Sequence, residues 1–114
     1  MRSDDDYFGD IMECISRIEN YTAAGQEVFL TSQIIQDAVI RNFEIIGEAT
    51  KRLSLAFKQA NPNVPCRRIA GLHDVLIHDS IYVDNHEVWN IIKQSLPDFK
   101  RKISEILNNS GEEI

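Results

Sequence analysis

The chain has 114 residues, 43% of them hydrophobic and 26% charged, with a formal net charge of −6. That length suits one domain of ordinary size, and the apolar fraction excludes a disordered chain. The acidic balance argues against nucleic-acid binding through bulk electrostatics, and no apolar run approaches the roughly 18 residues of a membrane span.

Glycine (5) and proline (3) are sparse, which favours long regular elements over a turn-rich β protein. The start, MRSDDDYFGD, is acidic and reads as neither a secretory signal nor a transit peptide. Cys14 and Cys66 lack a CxxC spacing and read as reduced thiols. Together these features predict a cytoplasmic protein.

In the first segment Phe8, Ile11, Ile15 and Ile18 form one apolar stripe, widened by Tyr7, Met12 and Cys14. Ser3 can cap its start, and Asp4, Asp5 and Asp6 suit the positive end of a helix dipole. A helix over about 4–23 follows, ending near Ala24-Gly25. Next, Ile35, Val39, Asn42, Ile46, Ala49 and Leu53 lie in one row with Phe43 and Phe57 beside it, capped by Thr31 or Ser32 and stopped by Asn61-Pro62. This predicts one long helix over about 32–59. Asn42 interrupts the row, and both a structural and a polar-site reading stand for it. Gly47, costly inside a helix, points to a close helix contact.

Val64-Pro65 opens a third helix, with Ile69, Leu72 and Leu76 as its apolar row, running to about Asp79. Asp84 and Glu87 start a fourth, which carries Val88, Ile92, Leu96, Phe99, Ile103 and Ile106. Pro97 should kink it. The NNSGEEI tail, from about residue 108, is polar and should fray. The expected architecture is all-α, an antiparallel four-helix bundle forming a single domain over 1–114.

The stretch HDVLIHDS, residues 73–80, holds two of the three histidines. His73 and His78 are five apart, about 140° around a helix, so they do not share a face as the ligands of a zinc-binding H-E-x-x-H helix do. No metal site or cofactor is expected. Asp74 and His78 are four apart and meet on one face. A carboxylate beside an imidazole fixes its tautomer and favours its protonated form, an arrangement suited to general acid–base work. The same spacing also serves as an ordinary surface pair. Arg67-Arg68 and Lys100-Arg101-Lys102 are the densest basic groups.

The segments AVIRNFEIIGEATKRLS (38–54) and RRIAGLHDVLIHDSIYVDNHEVWNIIKQSLPDFKRKI (67–103) resemble the HepT-like branch of the HEPN superfamily. The resemblance implies a small helical toxin of a type VII-style toxin–antitoxin pair, acting as a metal-independent endoribonuclease through an R-x4-H motif, commonly extended to R-x4-H-x-Y. It further implies a homodimer, or a higher even-numbered oligomer, whose two motifs meet in one cleft. The implied partner is a minimal nucleotidyltransferase antitoxin that transfers AMP, from a bound nucleotide, onto the motif tyrosine.

The motif histidine falls on His78. The motif arginine falls on position 73, occupied here by His73, followed by Asp74 as the polar residue. The motif tyrosine falls on Ser80, and the nearest tyrosine is Tyr82. Two of three signature positions thus depart from the pattern. Arginine stays cationic and grips phosphate with a planar fork, whereas histidine is charged only below its pKa, about 6.5 unperturbed. A His–His pair can still cleave RNA, one imidazole taking the 2′-OH proton and the other protonating the leaving oxygen. The catalytic residues expected are therefore His78, His73 and Asp74, with Tyr82 or Ser80 accepting AMP. Arg41, Asn42 and Glu48 are candidates to line the same cleft. The alternative is a catalytically inactive HEPN module that binds a nucleotidyltransferase, favoured by the altered motif and the acidic balance.

Overall fold

The computed structural model describes residues 2–67, 69, 71 and 84–112. Every regular element among them is helical: α1 (Asp4–Tyr21), α2 (Gln26–Thr31), α3 (Gln33–Lys51), α4 (Leu55–Ala60), α5 (Asn85–Asn90), a π-helical turn (Ile91–Ser95) and α6 (Leu96–Glu112). The protein is all-α, in more and shorter pieces than the periodicity predicts.

Ser3 and Asp6 close a capping box on α1. The Asp6 N–H donates to Ser3 Oγ at 3.3 Å, and the Ser3 N–H donates to the Asp6 carboxylate at 2.9 Å. The backbone bond from Ser3 holds the Asp6 carboxyl below its ordinary range. Phe8, Ile11, Cys14, Ile15 and Ile18 are the buried face of α1. Beyond Tyr21 the Thr22 hydroxyl donates to the Ile18 carbonyl at 2.7 Å. Gly25 then turns the chain at φ 104°, a backbone region that glycine enters without a Cβ penalty.

The stretch between the first two predicted helices carries a further helix, α2, which buries Phe29 against the Trp89 ring at 5.5 Å. The Gln36 side chain on α3 donates to the Phe29 and Leu30 carbonyls at 3.0 and 3.1 Å, satisfying acceptors at the end of α2. Ser32 caps α3 by accepting from the Ile35 N–H.

The single helix expected over 32–59 is broken, and the cause is a long-range contact. In a continuous helix the Ser54 N–H would donate to the Thr50 carbonyl. Instead it donates to the Asp4 carboxylate at 2.9 Å, while the Ser54 hydroxyl donates to the same carboxylate at 2.6 Å. Leu53 takes the Thr50 carbonyl in a tighter turn. Ser54 Oγ then accepts from the Phe57 N–H at 3.0 Å and starts α4. The break swings Phe57 against Phe8, ring centroids 4.9 Å apart, and turns Leu55 outward.

Asp84 caps α5 by accepting from the His86 N–H at 2.9 Å. The kink expected at Pro97 takes the form of the π turn just before it. Pro97 has no N–H for the Lys93 carbonyl, and its ring crowds that oxygen. The helix widens, and the Leu96 N–H reaches back five residues to the Ile91 carbonyl. The polar tail expected from about residue 108 begins as helix, since α6 runs through Glu112. Once Phe99 and Ile103 anchor the helix, each further residue gains a hydrogen bond for one residue fixed.

Contacts between helix ends set the directions. Asp4 begins α1 and Ser54 follows the end of α3, so these two run antiparallel. Glu19 with Lys100, and Met12 with Ser104, make α6 antiparallel to α1 as well. One apolar cluster links them, drawing on α1, α2, α3, α4, α5 and α6 and on Val64, Cys66 and Ile69. Among the described residues no helix is long and apolar enough to cross a membrane.

The Asp4–Ser54 contact generates a stability prediction. Ser54→Ala removes a cap and leaves Asp4 without its hydroxyl donor, and should cost about 1–2 kcal/mol in urea unfolding at fixed protein concentration. Asp4→Ala should cost less in the Ser54→Ala background than in the wild type. Equal costs in both backgrounds would show that the two residues are not coupled.

Candidate functional site

Residues 72–83, which include His73, Asp74, His78, Ser80 and Tyr82, lie outside the described residues. The structure describes what borders them. On one side, Cys66 and Ile69 are buried in the core; on the other, Asp84 caps α5, whose Val88 and Trp89 are buried.

The α3 candidates separate. Arg41 and Glu48 line one groove of about 370 Å³ with Arg2, Tyr7, Asp10, Glu44 and Arg52, between the first half of α1 and the second half of α3. Charges alternate along it. Arg2 meets Asp10 at 2.6 Å, Arg41 meets Glu44 at 3.5 Å, and Arg52 meets Glu48 at 2.8 Å. The Arg2 guanidinium also sits 4.9 Å from the Tyr7 ring centroid. Hydrogen bonds to Glu48 and then to Tyr7 hold Arg52 above its ordinary pKa. With each guanidinium matched by a carboxylate, the groove offers little net charge to an anion. Exposed pairs of this kind contribute at most about 1 kcal/mol each.

Asn42 does not join that groove. It is 5% exposed, and its amide N–H donates to the Ala38 carbonyl on its own helix at 2.8 Å. Its Oδ1 has no partner among the described residues, a buried acceptor whose isolation would cost about 1–3 kcal/mol. Asn42 therefore interrupts the apolar row as a buried polar group.

A second depression was not apparent in the sequence. Thr50, Lys51, Lys58, Cys66 and Arg67 line about 290 Å³ where α3, α4 and the residues after Pro65 come together. Arg67 was visible as part of a basic pair. Lys51 and Lys58 drew no attention, because they are seven apart on what reads as one helix and converge only through the break at Ser54. Cys66 and Cys14 are free and buried, and burial pushes both thiols up, so they are neutral near pH 7. Among the described residues no group of three His, Cys, Asp or Glu side chains is arranged to hold a metal ion.

Comparison with known proteins places this geometry in context. A family model described as ribonuclease HepT-like matches residues 11–106. A Thermococcus cleftensis protein named "Probable ribonuclease HepT" is 41% identical over 106 residues, covering 92% of this chain and 96% of that protein. A Caldanaerobacter subterraneus protein named as a putative RNase is 34% identical over 97 residues, covering 85% of this chain and 87% of its own. A Methanocaldococcus jannaschii protein, named as a gamma-glutamylcyclotransferase and putative RNase, is 38% identical over 102 residues. That match covers 89% of this chain but only 46% of the longer protein. No solved structure matches the chain. The chain belongs to the ribonuclease HepT-like family, within the HEPN superfamily.

Proposed function

We propose that this protein is a metal-independent endoribonuclease, the toxin of a cytoplasmic toxin–antitoxin pair. The observation that carries the reading is the family match over residues 11–106, a span that includes His78, which this reading takes as the motif histidine. In the proposed reaction His78 takes the proton from a 2′-OH, whose oxygen attacks the neighbouring phosphorus. The P–O5′ bond breaks, and a protonated His73 delivers its proton to the leaving 5′ oxygen. The products are a 2′,3′-cyclic phosphate and a 5′-OH end, and no water is consumed. Asp74 orients an imidazole and stabilises its charge. Arg41 and Glu48, with Asn42 behind them on α3, are proposed to border the cleft that two copies form together.

A second reading has its own observation. On this reading His73 takes the place of the motif arginine and Ser80 that of the motif tyrosine, which favours an inactive module that binds a nucleotidyltransferase. Cleavage of single-stranded RNA in EDTA separates the two. Activity should persist in the chelator and fall at least about a hundredfold in His78→Ala. No cleavage by the wild-type chain would establish the inactive module.

The pH profile tests the division of labour. One imidazole must be neutral and the other protonated, so the rate should pass through a maximum whose limbs belong to the pair. Arginine at 73 cannot serve as the proton donor, but it keeps the charge on the phosphate at every pH. His73→Arg should therefore remove the fall at high pH and keep the limb of the base. Because that variant loses the proton donor, its rate near neutrality should fall roughly a hundredfold. If rate and profile between about pH 5 and 9 are unchanged, His73 has no catalytic role.

Native mass spectrometry addresses the assembly and the partner. The chain alone should give a dimer or a larger even-numbered species. With a minimal nucleotidyltransferase and ATP it should gain AMP at Tyr82 or Ser80. A monomer, or a gain mapping to another segment, would remove that part of the reading.

A further inference from the structure

The chain divides into two halves at one short junction. Before it, α3 packs against both α1 and α2. After it, α4, α5 and α6 return to cover that first half. Phe57 meets Phe8 with ring centroids 4.9 Å apart, Trp89 meets Phe29 at 5.5 Å, and Lys100 meets Glu19 at 3.0 Å. The second half is tied to itself as well, since Lys102 donates to the Asn63 carbonyl at 2.8 Å. The junction is Arg52, Leu53 and Ser54, between the end of α3 at Lys51 and the start of α4 at Leu55.

The same residues also suit a straight helix. Ile46, Ala49, Leu53 and Phe57 follow one another at steps of three and four, the spacing of one helical face, right across the break. A continuous helix would pair the Ser54 N–H with the Thr50 carbonyl, Leu55 with Lys51, and Phe57 with Leu53. Side chains intercept each of these pairs. The Asp4 carboxylate takes the Ser54 N–H at 2.9 Å, Lys58 Nζ occupies the Lys51 carbonyl at 3.2 Å, and Ser54 Oγ takes the Phe57 N–H at 3.0 Å. Asp4 acts from 50 residues away, as a latch on the bend.

We propose that this junction is a hinge through which two copies of the chain exchange their C-terminal halves. When it straightens, α4 to α6 leave their own N-terminal half and pack on that of a second copy. The Phe8–Phe57, Phe29–Trp89 and Glu19–Lys100 contacts then form between chains in the same geometry, so they contribute equally to the closed and exchanged forms. Protein concentration and the hinge itself decide between the two. Straightening loses the Asp4–Ser54 bonds and gains the backbone bonds of a continuous helix. A short hinge held in a bend is the kind of connection that invites exchange. The occupant is a second copy because this chain already supplies the surface that fits. The inference does not depend on the ribonuclease reading.

The test uses the full chain in ordinary and heavy-nitrogen-labelled forms, mixed in equal amounts, concentrated, warmed and cooled. A carbodiimide then converts the exposed Lys100–Glu19 ion pair into an amide with loss of water. Closed chains, alone or in an ordinary dimer, give linked peptides of one isotope, whereas exchanged halves give linked peptides carrying both. The wild type should yield mixed peptides in its dimer fraction. Asp4→Ala releases the latch and should raise the exchanged share at least about tenfold at fixed concentration, the factor for one charge-assisted hydrogen bond. Leu55→Pro should abolish the mixed peptides. Leu55 is exposed, and Ser54 before it already has φ −63° and ψ 151°, a conformation that a following proline favours. Proline is accepted at the first position of α4 but removes the N–H that a straight helix needs.

Single-isotope peptides in both the wild type and Asp4→Ala overturn the exchange, and a dimer mass in the same samples would then belong to closed chains. Mixed peptides that persist in a folded Leu55→Pro place the hinge elsewhere and overturn the proposal too. Should Leu55→Pro lose its helical circular dichroism, Asp4→Ala decides alone: an exchanged share equal to that of the wild type overturns the latch and the proposal with it. RNA cleavage by the same samples reads the ribonuclease assignment separately.

Discussion

Burial of the α1 stripe is the constraint on which the rest of the structure depends. Ile11, Ile15 and Ile18 are completely buried, and Phe8 and Cys14 nearly so. Each large apolar side chain removed from water contributes about 1.5–3 kcal/mol. Three or more on one face of an 18-residue helix outweigh its modest intrinsic propensity. The face must be covered on both flanks, and α3 and α6 cover it, each running antiparallel to α1. Phe99 and Ile103 on α6 and Val39, Phe43 and Ile46 on α3 supply the matching surfaces.

With that packing in place, local preference yields wherever it conflicts with a contact made at a distance. Helix propagation favours a continuous α3, yet the Asp4 carboxylate takes two donors from Ser54 and ends it. The consequence reaches the candidate site. The break redirects α4, buries Phe57 against Phe8, and brings Lys58 back beside Lys51. The π turn before Pro97 is a similar compromise. The wider register accommodates the missing N–H while Ile92, Leu96 and Phe99 all remain buried.

Charge follows the same logic. Six carboxylates, those of Glu13, Glu19, Glu44, Glu48, Asp98 and Glu105, are spent on cations of the same or neighbouring helices. An acidic chain can pair many of its arginines in this way while Lys51, Lys58 and Arg67 line a common depression. Net charge alone predicts repulsion of nucleic acid, whereas the distribution of charge permits a local contact. In the groove between α1 and α3 the charges balance, and Arg41 is drawn to Glu44.

The sequence by itself determined the helical class, the start of α1 at Ser3, the buried stripes of α1 and α6, and the resemblance to the ribonuclease HepT-like family. Those features are periodic or local: a 3.6-residue repeat, a capping serine, a fixed spacing. It could not reveal the break at Ser54, because the competing acceptor lies fifty residues away on Asp4. It could not separate Asn42 from Arg41 and Glu48 either. Neighbours on a helix point about 100° apart, and only the position of α1 decides which of them faces a groove and which is buried. The meeting of Lys51, Lys58 and Arg67 likewise belongs to the tertiary structure alone, since three cations on separate segments share a surface only after α4 has folded back.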